Sequence, residues 1–168
     1  MRLLLLFGVA LLACLAIQTT APLWSPVRAL VPNLVVILVV DLGLRHHGAL
    51  PASIAFGMGY ATDALSGTHA GLDALFMTLV YLLTYEVSGR LMMTNAIVGA
   101  VAVFVGSMIT GAAQIGVGFT RGTPSGFAEL MPMLLVQAAI SAALAPAIFS
   151  ALARIKRALG LRAIAERE

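Results

Sequence analysis

Seven acidic residues and three histidines are the natural candidates for acid–base or metal chemistry in this 168-residue chain. The acids Asp41, Asp63, Asp73 and Glu86 lie within or beside long apolar runs. An ionisable group at membrane depth is costly, so each is a functional candidate until a partner is found for it. Asp41 precedes Arg45 by four residues, and Glu86 precedes Arg90 in the same way. Acid first, base one turn later, is the favourable order for a helical ion pair. Such a pair anchors a helix end at an interface. A proton or ion relay would use the same acids but would want further acids deeper in the run, and the sequence has none. Both pairs are therefore read as structural.

Asp63, His69 and Asp73 surround a different turn. A metal site needs three or four ligands. His46 and His47 sit in another turn, on the far side of the apolar runs, and cannot contribute. No metal site is expected. Loop solvation and helix capping account for these residues, with Asp73 near a helix N-terminus, where its charge suits the dipole. No nucleophile motif, phosphate loop or nucleotide fingerprint is present. The Gly-x-Gly at Gly57 lies inside an apolar helix and is discounted. No catalytic and no cofactor-binding residue is assigned, and the chain is read as a non-enzyme.

The elements that hold these residues follow from composition. Hydrophobic residues make up 61% of the chain and charged residues 10%, against about a quarter charged in a soluble domain. Mean hydropathy is +1.02. Lipid must then be the outer solvent. Six apolar runs fit the length of spanning helices, about 20 residues with ~17 as a lower limit. They cover Leu3–Thr20, Arg28–Leu44, Ala49–Leu65, Gly71–Ser88, Ala96–Val117 and Phe127–Ala153. The second is short, with Pro32 near its first turn, where proline is tolerated. Pro132 and Pro146 are expected to trim or bend the sixth. The breaks between runs carry turn chemistry, from Arg45-His46-His47-Gly48 to the longer Gly118–Gly126 stretch. The first run also resembles a secretory signal. Thr19, Thr20 and Pro22 would make a poor cleavage site, so the run is read as a retained helix. Cys14, the lone cysteine, is then a small buried residue.

Charge sets the orientation. With the N-terminus in the cytoplasm, Arg2, Arg45, Arg90, Arg154, Lys156, Arg157, Arg162 and Arg167 fall inside, and only Arg28 and Arg121 fall outside. The positive-inside rule favours both ends in the cytoplasm and an even number of helices. The net charge of +3 therefore points to an anionic membrane face and not to nucleic acid. The domain division is a six-helix transmembrane unit over 1–153 and a basic cytoplasmic tail over 154–168, the tail suited to a short interfacial helix. Gln114 and Gln137 are expected to bond across helices. Small residues at Gly57, Gly59, Gly99, Gly106, Gly111, Gly116, Ala138 and Ala142 suit close helix packing. That packing can be within the chain or with another, a homodimer included.

The stretches PNLVVILVVDLGLRHHG and AFGMGYATDALSGTHAGLDALFMTLVYLL, from about Pro32 to Arg90, resemble the rod shape-determining protein MreD family. In that family a proline opens the second helix, a Gly-x-x-x-Asp stretch closes the third, and a small-residue turn and a glycine begin the next. Pro32, Gly59, Asp63, Gly67 and Gly71 match the pattern, with Asp73 close behind. These six are the expected partner-binding or packing residues. The resemblance implies an all-α integral membrane protein of the bacterial inner membrane, similar in fold to the substrate-binding subunits of energy-coupling-factor vitamin transporters. It also implies a non-enzymatic subunit of the cell-elongation complex without cofactors. Its partners would be the bitopic scaffold MreC, the MreB filament, RodA and the transpeptidase that works with RodA. The rival reading is a vitamin-capturing subunit. Against it, the docking Ala-x-x-x-Ala pair is missing from the first helix, where Cys14 follows Ala10 and Ile17 follows Ala13. Only Trp24, Tyr60 and Phe119 are available to line an outer cavity.

Overall fold

The computed structural model describes residues 2–24, 32–66, 71–90, 96–120 and 127–158, without some side chains at helix ends. Among them are six helices: α1 (Arg2–Trp24), α2 (Leu34–Arg45), α3 (Ala49–Ser66), α4 (Leu72–Arg90), α5 (Ala96–Thr120) and α6 (Phe127–Ala158). The second apolar run starts as a helix later than expected. Asn33 caps α2, its side chain accepting from Val36 N, so Pro32 precedes the helix. Pro132 and Pro146 lie within α6, which is helical on both sides of each. It also runs past Ala153 to Ala158, so the first tail residues extend it.

The short helix α2 is the centre. Every residue from Leu34 to Gly43 is buried. A helix apolar all round has no solvent face to offer, so it belongs inside a helical shell. Twelve residues rise only about 18 Å, well short of a ~30 Å hydrocarbon core. Two hairpins, α3/α4 and α5/α6, form most of that shell, each packed most extensively within itself. The outer helix α1 lies against α2 and α3.

Contacts at both ends of α2 fix the direction of every helix. Near its C-terminus, Ser88 Oγ on α4 donates to Leu44 O, and Lys156 on α6 reaches Asp41. Near its N-terminus, Asn33 N donates to Ser141 Oγ on α6. The helices α2, α4 and α6 therefore run the same way. Gln18 Nε2 on α1 donates to Pro32 O, while Phe7 lies beside His46, so α1 runs opposite to α2. Gly59 on α3 meets Asp73 and Ala74 at the start of α4, and Gln114 near the end of α5 also meets Asp73. The chain thus alternates up and down through all six helices.

Among the described residues, three helices hold stretches long and apolar enough to cross a membrane: Leu72–Gly89, Ile97–Gly116 and Leu130–Arg157. Only about a third or less of each stretch is buried. Leu75, Leu82, Ile97, Val101, Leu135 and Val136 point outwards.

Candidate functional site

Two polar junctions close the two ends of this bundle. The first joins α3 to α4. Asp63, buried in the last turns of α3, accepts from three backbone N–H groups: Gly71 at 2.9 Å, Asp73 at 3.2 Å and Ala74 at 3.2 Å. The first turn of any helix has N–H groups with no partner inside it. Asp63 satisfies those of α4 from a neighbouring helix, and its charge suits that N-terminus. The close approach requires Gly59. A Cβ there would overlap the backbone of Asp73 and Ala74. Gly71 adopts a φ of 102°, a conformation L side chains rarely take, and turns the chain into α4. Gln114 Nε2 then donates to both Asp73 carboxylate oxygens, at 3.3 and 3.4 Å, and ties α5 to the same end.

The second junction lies at the opposite end and gathers side chains from five parts of the chain. Asp41 of α2 is fully buried. Lys156 Nζ of α6 donates to its Oδ2 at 2.5 Å and lies 5.0 Å from the Phe7 ring centroid of α1. Arg45 Nε is 2.8 Å from Oδ1, yet this oxygen accepts no hydrogen bond among the described residues. The contact is ionic. His46, in the turn after α2, is buried with both ring nitrogens unpartnered among the described residues. Burial first, and Lys156 second, push its pKa down from 6.5 to about 4, so the ring is neutral at pH 7. Tyr81 Oη of α4 donates to the carbonyls of His46 and Gly48 and holds the turn in place.

Between the junctions the helices meet through small and branched apolar groups. Gly43 faces Thr84, Gly99 faces Phe149, Gly106 faces Val36 and Val80, and Gly111 faces Leu134. Side-chain hydroxyls of Thr84, Thr110 and Ser141 return to carbonyls of their own helices. On the outside, α4 and α5 diverge around an apolar groove of about 300 Å³, lined by residues such as Val80, Val87, Ile97, Val101, Val105 and Ile109. No group of three His, Cys, Asp or Glu side chains gathers among the described residues. What the two junctions do chemically is hold charge and cap helices.

A model of the rod shape-determining protein MreD family matches residues 1–155. The chain belongs to the MreD family. No curated protein and no solved structure matches it. Membership places it among rod shape-determining proteins. The match runs through α1–α5 and most of α6, and ends one residue before Lys156.

The MreD-like residues can now be located. Gly59, Asp63, Gly71 and Asp73 converge on the α3–α4 junction, and their contacts are within the chain. Pro32 stands just before α2, its carbonyl taking N–H groups from Gln18 and Leu34. Gly67 and His69 lie outside the described residues, as does the Arg90 side chain, while Glu86 is exposed on α4. Of the two expected ion pairs, Asp41–Arg45 is in place, joined by a partner the spacing could not show, Lys156. The sequence places Lys156 in a basic tail at the membrane surface, whereas the structure buries it, 6% exposed. The one sequence signal for it was the α6 run, whose helical period turns Leu152 and Lys156 to the same side.

Proposed function

We propose that this chain is a multi-pass, non-enzymatic subunit of the bacterial inner (cytoplasmic) membrane that binds an MreC-like bitopic scaffold. Through that scaffold it acts with MreB, RodA and the transpeptidase partner to direct peptidoglycan synthesis along the cylinder. The match to the MreD family over residues 1–155 carries this reading.

Two structural observations support it. The alternation of six helices, with α2, α4 and α6 running one way, suits six membrane segments with both ends in the cytoplasm. The buried α2 is then a short segment inside a shell of longer ones. Arg45, Arg90, Arg154, Lys156 and Arg157 all sit at the same end of the bundle, the end the positive-inside rule assigns to the cytoplasm. Second, Gly59, Asp63, Gly71 and Asp73 at the α3–α4 junction are engaged within the chain. Partner binding then falls to the outward apolar faces and not to Gly59 or Asp63.

Co-expression with an MreC-like protein should yield a complex that survives purification, and depletion of the chain should round rod-shaped cells. A chain that forms no such complex, binds a vitamin at nanomolar affinity and leaves cell shape unaffected by its loss would be a vitamin-capture subunit instead.

A further inference from the structure

The Asp41 carboxylate sits between more basic groups than it uses. Oδ2 takes Lys156, whereas Oδ1 has Arg45 close by and accepts no hydrogen bond among the described residues. His46 lies in the same buried cluster, 5% exposed, with neither ring nitrogen partnered among the described residues. Buried polar atoms in native proteins nearly always have partners, and the exceptions call for a reason. The groups facing His46 are Asp41 and Arg45 from α2, His47 from its own turn and Lys156 from α6. Tyr81 of α4 holds its backbone carbonyl, and Phe7 of α1 meets the ring edge-on. With Lys156 docked, two cations and one anion surround the ring, and a third cation there is disfavoured.

We propose that Lys156 and His46 are alternative partners for the Asp41 carboxylate, so that the last turn of α6 is a latch that leaves α2 when a protonated His46 takes its place. Leaving a buried carboxylate short of a partner is what normally locks such a pair. Here a second basic group is available: His46, buried at the same end and packed on Phe7, the ring that Lys156 also covers. When Lys156 withdraws, a repulsive charge leaves the ring and the attraction of Asp41 remains, so the imidazole takes a proton from water. Lys156 moves to the membrane surface. The exchange binds one proton, so acid favours the open latch. Arg154 and Arg157 flank Lys156 and are exposed. An anionic lipid surface that engages them would draw the turn the same way.

The test uses the full chain in lipid nanodiscs, with nitrogen NMR of the His46 ring. In the unaltered protein His46 should remain neutral until the pH nears about 4. In Lys156→Met it should titrate clearly above about 4, because one of the causes that lower it is gone while burial remains, and in Lys156→Arg it should behave as in the unaltered chain. A second measurement places spin labels at the exposed positions Ile155 and Leu50. Their separation should lengthen as the pH falls to about 4, and His46→Phe should abolish the change. This second measurement decides even if Lys156→Met fails to fold. The latch is overturned if His46 in Lys156→Met stays neutral to about pH 4. It is equally overturned if the label separation ignores pH, or responds identically in His46→Phe.

Discussion

The two ends of the bundle each bury an aspartate, and they hold it in opposite ways. Asp63 is bonded to backbone N–H groups only 8 to 11 residues further along the chain. Those donors are main-chain atoms of the turn into α4 and of its first turn, and cannot leave without undoing that backbone. Asp41 is bonded to a lysine side chain 115 residues away, on a long flexible stem near the end of the last helix. That donor can leave while every helix stays intact. A carboxylate on backbone donors makes a joint, whereas a carboxylate on side-chain cations makes a contact that can be exchanged.

The largest expected break lies at the joint. Gly59→Leu puts a branched side chain where the α4 backbone already stands. No rotamer avoids the overlap, so the α3/α4 hairpin must separate. The variant should be recovered at a small fraction of the normal level, and the survivors should lose partner binding because they are misfolded. Recovery of normal amounts with a normal melting temperature would mean that the two backbones do not approach closely.

A smaller and more informative break lies at the other end. Among the described residues, Asp41→Leu removes the only anion of a cluster that also buries Lys156. Stranding a buried charge in this way costs about 3–5 kcal/mol, while removing both partners is often neutral. Asp41→Leu combined with Lys156→Met should therefore melt at a higher temperature than Asp41→Leu alone. No such rescue can be designed for Asp63, because its partners are main-chain atoms. A double variant no better than the single one would show that Lys156 does not rest on Asp41.

The sequence was informative where chemistry is local. Six apolar runs mark the six helices, and the Gly59–Asp63–Gly71 pattern marks the joint, because a close-packed hairpin restricts residue types over a short stretch. The i, i+4 spacing of Asp41 and Arg45 also revealed their contact. What escaped was contact between distant parts of the chain. Nothing near Asp41 in sequence points to Lys156, and a lysine among basic tail residues reads as a contact with the membrane surface. The start of α2 escaped for a related reason. Arg28–Leu44 is apolar apart from Asn33 and Asp41 after its first residue, and periodicity cannot place a boundary inside such a run. Asn33, with Ser141 of α6 on its amide, is the cap that sets it. The role of Gly59 shows the reverse case. Its small size was legible, but only coordinates could show that α4 of the same chain, and not a partner, fills the space beside it.

Amide hydrogen exchange on the full chain in lipid compares the two ends directly. Local openings range from nearly free to global unfolding, according to what holds each segment. The amides of Gly71, Asp73 and Ala74, held by Asp63, should exchange only as slowly as global unfolding allows. The amides from Arg154 to Ala158 should exchange faster through local release of the α6 turn, with protection factors that drop further on acidification. Equal protection at both ends, unchanged by pH, would contradict the distinction between a fixed joint and an exchangeable contact.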